Sequence, residues 1–204
     1  MKKTVLSIAI AVISLPMAAQ EVGLQLYSLR NEFKEDVTGS LDVIQSWGIT
    51  KLEGGGTYGM SLEDFQKELA SRDMSVVSVG AGFEELEKDP QIAVENAKKF
   101  GAKYVMCAWV PHDDNKWDLK ETQHATEVFN KAGKVLKENG ISLVYHAHGY
   151  EFRPYKDGTL FDYMAENATD FTFELDVFWA HHGGGDPLAI MKKYPKKITL
   201  MHLK

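Results

Sequence analysis

Past residue 20, short runs of β-branched and aromatic residues alternate with longer stretches whose apolar positions recur at helical spacing. The short runs predict strands at residues 23–27, 50–52, 75–79, 104–109, 142–145, 171–175 and 198–202. The longer stretches predict helices near 37–47, 61–72, 90–100, 121–139, 160–166 and 187–193. Local punctuation agrees with both sets. Ser61 ahead of Glu63 and Asp64 reads as a helix N-cap with acids in the first turn, Asn139-Gly140 closes the long helix, and Asp186-Pro187 opens the last one.

Strict β/α alternation calls for parallel strands covered by helices, either a doubly wound open sheet or a closed barrel. The run Gly23-Leu24-Gln25-Leu26-Tyr27-Ser28-Leu29-Arg30 passes from strand to polar loop with no Gly-x-Gly-x-x-Gly turn, which disfavours a dinucleotide site. The expected fold class is therefore α/β, a TIM (β/α)8-type barrel. A complete barrel takes about 250 residues, and this sequence of 204 stops as the seventh predicted strand ends, so the expected barrel is truncated after that strand. No linker, repeat or low-complexity segment divides residues 20–204, which read as one domain with its C-terminal part missing.

Residues 1–19 follow other rules. Lys2 and Lys3 precede an apolar run from Val5 to Leu15, and Pro16-Met17-Ala18-Ala19 supplies a small-residue exit, the layout of a secretory signal peptide cleaved after Ala19. No cysteine stands there for lipid attachment, so the expected product is a free periplasmic protein without membrane contact after cleavage. Composition narrows the chemistry further. With 23 Lys and Arg against 29 Asp and Glu, the net charge of -6 argues against a nucleic-acid partner. The one cysteine, Cys107, rules out an intrachain disulfide and a cysteine-rich zinc site, which leaves any metal to histidine and carboxylate.

In a β/α barrel, functional groups gather where strands exit at their C-terminal ends. The fifth predicted strand leads into His146-Ala147-His148-Gly149-Tyr150-Glu151-Phe152, and alternation puts His146 and His148 on one side if the strand continues that far. The sixth, Phe171-Thr172-Phe173-Glu174-Leu175-Asp176, ends on Asp176, and the seventh ends on His202. Imidazole and carboxylate from three consecutive strands suit a divalent ion of the manganese, zinc or cobalt type. Glu53, ahead of Gly54-Gly55-Gly56, is a further pocket candidate. Tyr27, Trp109, Tyr150 and Trp179 fall near strand exits, where flat rings stack against sugar C–H faces. His181-His182-Gly183-Gly184-Gly185 reads either as a mobile flap over the site or as a solvent loop.

These stretches, Gly23 to Arg30, Tyr145 to Phe152, Glu174 to Trp179 with Asp186-Pro187, and His202-Leu203-Lys204, together resemble the xylose isomerase-like sugar phosphate isomerase/epimerase superfamily, which also includes barrels of the AP endonuclease family 2 type. The resemblance implies one divalent metal held by a carboxylate after the fifth strand, an aspartate after the sixth, a histidine after the seventh and a glutamate after the eighth. Asp176 and His202 match the second and third positions; Glu151, His146 or His148 fills the first. It further implies an isomerase or epimerase acting on a carbohydrate or keto-sugar through an enediolate, with His146 or His148 as base and Lys204 donating to the oxyanion. Glu53, Tyr27, Trp109 and Trp179 would then line the substrate. Alternatives on the same scaffold are a keto-glycoside lyase or hydratase and a non-catalytic periplasmic sugar-binding protein, and a homo-oligomer is compatible with either. The endonuclease branch is disfavoured by the acidic charge.

Overall fold

The computed structural model describes residues 21–113 and 116–204. The expected signal peptide, residues 1–19, lies outside them. Seven strands form one parallel sheet: β1 (Gly23–Gln25), β2 (Lys51–Glu53), β3 (Ser75–Gly80), β4 (Tyr104–Cys107), β5 (Ser142–Ala147), β8 (Phe171–Asp176) and β9 (Ile198–His202). Each pairs with its predecessor in that order. Between β5 and β8 a short antiparallel hairpin, β6 (Pro154–Tyr155) and β7 (Gly158–Thr159), stands apart from the sheet. The sheet curls, so that His202 at the tip of β9 reaches Glu53 at the tip of β2, Nε2 to Oε1 3.0 Å. This is the curled α/β sheet of a TIM barrel.

The covering helices are α1 (Glu32–Glu35), α2 (Val37–Ser46), α3 (Leu62–Ser71), α4 (Phe83–Lys88), α5 (Pro90–Phe100), α6 (Leu119–Glu138), α7 (Leu160–Asn167), α8 (Val177–His182) and α9 (Pro187–Lys193). The predicted caps do their work: the Ser61 hydroxyl accepts from the Asp64 N–H, and Asp186 accepts from the Leu188 and Ala189 N–H groups. Several boundaries differ from expectation. The first strand stops at Gln25, because Leu26–Leu29 turn into a 3-10 helix. The fourth stops at Cys107, so Trp109 belongs to the loop beyond it. Helix α6 starts at Leu119, capped by a reciprocal Asp118 and Glu121 box that draws the start two residues earlier.

Helix α6 shows how the layers join. Thr122, Ala125, Thr126, Phe129, Ala132, Gly133 and Leu136 repeat at three and four and form its buried face. Phe129 meets Tyr145 of β5 and Phe171 of β8 with ring centroids 4.8 and 5.3 Å apart. Gly133 lets the helix backbone approach the Asp170 carbonyl so closely that a Cβ there would overlap it. We expect Gly133→Ala to destabilise the fold by about 1–3 kcal/mol, measured by urea denaturation; an unchanged midpoint would mean that α6 can shift away from β8. Cys107 is buried, and burial pushes its thiol up to about 12. Among the described residues no helix is long and apolar enough to cross a membrane.

Candidate active site

Strand β5 runs through Ala147, past its predicted end, so alternation turns His146 into the barrel while Tyr145 faces α6. Along β8, Phe171 and Phe173 pack on Phe129 and Phe161 of the helix layer, which leaves Glu174 and Asp176 on the inner side. Glu53 ends β2 and His202 ends β9. Five ionisable side chains thereby converge where strands exit.

Their contacts have an order. Glu174 Oε2 is 2.9 Å from His146 Nδ1, and its Oε1 is 3.3 Å from His202 Nε2, which also lies 3.0 Å from Glu53 Oε1. Glu174 therefore grips both imidazoles, each by one nitrogen. The remaining nitrogens, His146 Nε2 and His202 Nδ1, lie 3.7 and 3.9 Å from Asp176 Oδ2. Asp176 is 1% exposed. Its Oδ1 accepts from the Trp179 N–H and caps α8, but its Oδ2 is buried with no hydrogen-bond partner among the described residues. A buried carboxylate oxygen left so is costly unless a positive charge meets it.

Candidate ligand atoms of His146, Asp176 and His202 lie within 4.8 Å of one another, as do those of Glu53, Glu174 and His202. The first group suits a metal better. Histidines that ligate metals give their other ring N–H to a carboxylate, and here Glu174 and Glu53 already take Nδ1 of His146 and Nε2 of His202. Two imidazoles and one carboxylate fit a zinc-, manganese- or cobalt-type ion and leave coordination positions for substrate.

Electrostatics follow from crowding. Burial, reinforced by the charge of Glu53, pushes the Glu174 carboxyl up to about 9. Burial also works upward on Glu53, but the hydrogen bond and charge of His202 outweigh it and hold Glu53 below the usual range. For His202, burial pulls downward and is outweighed by the bond to Glu53 and the charge of Glu174, so it lies above the usual imidazole value. Burial, then the charge of His202, lowers His146 to about 4; burial, then the charge of His146, does the same to His148.

The remaining sequence candidates take distinct places. Glu151 does not join the group: a 3-10 turn, Tyr150–Phe152, rolls it behind β5, where it accepts hydrogen bonds from the Tyr145 hydroxyl and, at 3.0 Å, from the His148 backbone N–H. Of the three candidates for the position after the fifth strand, Glu151, His146 and His148, it is His146 whose ligand atoms lie close to those of Asp176 and His202. His148 stands beside the group, its ring 4.9 Å from His146 and 5.5 Å from Trp179, with Nδ1 buried and unpartnered among the described residues. Lys204 lies over the Trp179 ring at 5.1 Å. Trp109 leans on His112 and stands nearly perpendicular to the His148 ring. Tyr27 is exposed at the β1 exit under the Arg30 guanidinium. Glu53 serves as a partner of His202. His181 and His182 belong to the end of α8, and Gly183 packs against the Gly149 backbone so tightly that a Cβ would overlap it. Glu174 was overlooked as a site residue, although the alternation in Phe171-Thr172-Phe173-Glu174-Leu175-Asp176 places it on the face of Asp176.

No family model matches the chain. In sequence it is 29% identical to an inosose dehydratase of Clostridium perfringens strain 13, over 77% of this chain and 59% of that protein. The chain thus spans about three fifths of the length of the curated relatives it matches. In structure it is similar to a sugar phosphate isomerase/epimerase from Parabacteroides distasonis, with TM-score 0.77 and 26% identity over 94% of this chain and 77% of that one. It also shares its fold with the IOLI protein, solved with a bound zinc atom, with TM-score 0.70 and 13% identity over 90% of this chain and 72% of that one. In sequence to the first and in fold to the others, the chain is similar to sugar phosphate isomerase/epimerase TIM barrels of the xylose isomerase-like kind.

Proposed function

We propose that this protein is a metal-dependent enzyme that abstracts a proton next to the carbonyl of a small carbohydrate. The observation that carries the reading is the buried, unpartnered Oδ2 of Asp176 facing the free nitrogens of His146 and His202. The zinc in a barrel of the same fold supports a divalent ion here. When bound, such an ion polarises a substrate carbonyl and steadies the charge that appears on its oxygen as the neighbouring C–H is lost.

The rest falls to the chain. His146, Asp176 and His202 would hold the ion, with Glu174 and Glu53 fixing the tilt of both imidazoles. His148 stays neutral at ordinary pH because burial disfavours its charged form, so its ring can take the proton. Lys204 and the Trp179 face beneath it form a rim where an ammonium and an aromatic surface meet a polyol. Return of the proton to a neighbouring carbon gives isomerisation, return to the opposite face gives epimerisation, and departure of a β-hydroxyl gives dehydration. The inosose dehydratase relative favours the last.

The test incubates the full-length chain, loaded with manganese, zinc or cobalt, with scyllo-inosose and with fructose in deuterium oxide, followed by NMR. We expect deuterium next to the carbonyl of at least one, with water loss from inosose if dehydration is the outcome, and loss of exchange by at least about a hundredfold in His148→Ala. Failure of exchange on both under all three metals would overturn the reading. We also propose export, in which case the mature protein from the periplasm starts at Gln20; an N-terminus that retains Lys2 and Lys3 would contradict it.

A further inference from the structure

At the exits of β3 and β4, linked to His148 through Trp109, lies an open cleft of about 770 Å³, a volume ordinary for a small-molecule site. Its walls are Gly80 and Gly82 at the β3 exit, Trp109 beyond β4, and Ile92, Glu95 and Asn96 of α5. Trp109 joins the two regions. It lines the cleft, yet its ring lies 6.4 Å from that of His148 and nearly perpendicular to it. The ring is also 51% exposed although it leans on His112, and Ile92 is 50% exposed. An aromatic ring and an aliphatic side chain kept open to solvent in one concavity suit the C–H face of a sugar ring.

Charge decides which sugar. Glu84, Glu85 and Glu95 line the cleft against a single ammonium, Lys99. Glu84 is further occupied by Lys88 at 3.3 Å, a solvent-exposed pair. A phosphate ester would meet like charge here, whereas carboxylates and the Asn96 amide are good partners for hydroxyl groups.

We propose that this cleft is a subsite for a second, uncharged sugar ring, so that the neighbouring metal site works on a neutral glycoside or disaccharide rather than a sugar phosphate. The inference rests on the function proposed above and extends it to the substrate class.

The test titrates the manganese-loaded full-length chain with glucose, glucose 6-phosphate, cellobiose, maltose and trehalose, read by ligand-observed NMR. At least one disaccharide is expected to bind about tenfold tighter than glucose, and glucose 6-phosphate more weakly than glucose. Trp109→Ala removes the disaccharide gain, and Glu95→Lys reverses the order of glucose and its phosphate. Both side chains are exposed, so circular dichroism is expected to show an unchanged fold. Absence of any gain over glucose, or a gain that survives Trp109→Ala, overturns the subsite. If deuterium exchange on inosose or fructose persists in that case, only the subsite falls; if exchange is absent as well, the carbohydrate reading of the metal site falls with it.

Discussion

Asp176→Asn is expected to lower affinity for manganese, zinc or cobalt by at least about a hundredfold, the upper range seen when even a supporting partner of a ligand is lost. The substitution is chosen to separate binding from folding. Asn is as good an N-cap as Asp, so its side-chain oxygen can still accept from the Trp179 N–H and hold the start of α8. What it loses is the negative charge of the unpartnered Oδ2 that faces His146 and His202. Calorimetric titration of the metal-free protein measures the loss. Thermal unfolding without metal is expected to change little, since removing a buried charge offsets any weakening of the cap. His124→Ala serves as control, because His124 pairs with Glu87 on the helix surface, away from the strand tips. Equal affinity in the wild type and Asp176→Asn would remove Asp176 from the centre.

Glu151→Gln is expected to stabilise the protein at pH 8 by up to about 3 kcal/mol relative to wild type and to be nearly neutral at pH 4.5. Glu151 is 0% exposed, and burial pushes its carboxyl from 4.5 up to about 7, against the bonds from Tyr145 and His148 that favour its charged form. A carboxyl whose folded value is raised binds its proton more tightly in the folded state. Its contribution is full below about pH 4.5 and is lost as pH rises through about 7. Gln keeps the shape and an acceptor while removing the titration, so the variant escapes that loss. Urea denaturation of both proteins at pH 4.5, 6 and 8 isolates the group, since other titrations are shared. A stability difference that stays flat with pH would show that Glu151 is not held as a buried acid.

The two carboxylates behind these predictions differ in how far the sequence reveals them. The placement of Asp176 was legible because β8 alternates cleanly between apolar and polar residues and because the strand-exit rule draws attention to its end. His202 was legible for the same reason. Glu151 became a candidate because the family resemblance implies a carboxylate after the fifth strand. The chain bends after Gly149 into a 3-10 turn, and the side chain ends behind the strand, where Tyr145 waits. Glu174 shares the face of Asp176, but its grip on two imidazoles depends on β5 and β9 flanking β8, an adjacency that pattern alone does not display.

The same contrast holds in the fold. Long helices with strong periods and paired caps were readable to within a few residues. Helix α4, Phe83–Lys88, was not: six acidic-rich residues with a glycine at the N-cap carry too few apolar positions to show a period. The cleft beside it was equally hidden, because its walls come from α4, α5 and the Trp109 loop, which only the barrel brings together.

The most direct test of the metal centre is anomalous scattering from crystals of the full-length chain loaded with manganese or zinc. One peak is expected about 2.0–2.2 Å from His146 Nε2, Asp176 Oδ2 and His202 Nδ1, with Glu174 still bonded to both imidazoles. A peak between Glu53 and Glu174 instead, or no peak at the strand tips, would contradict it.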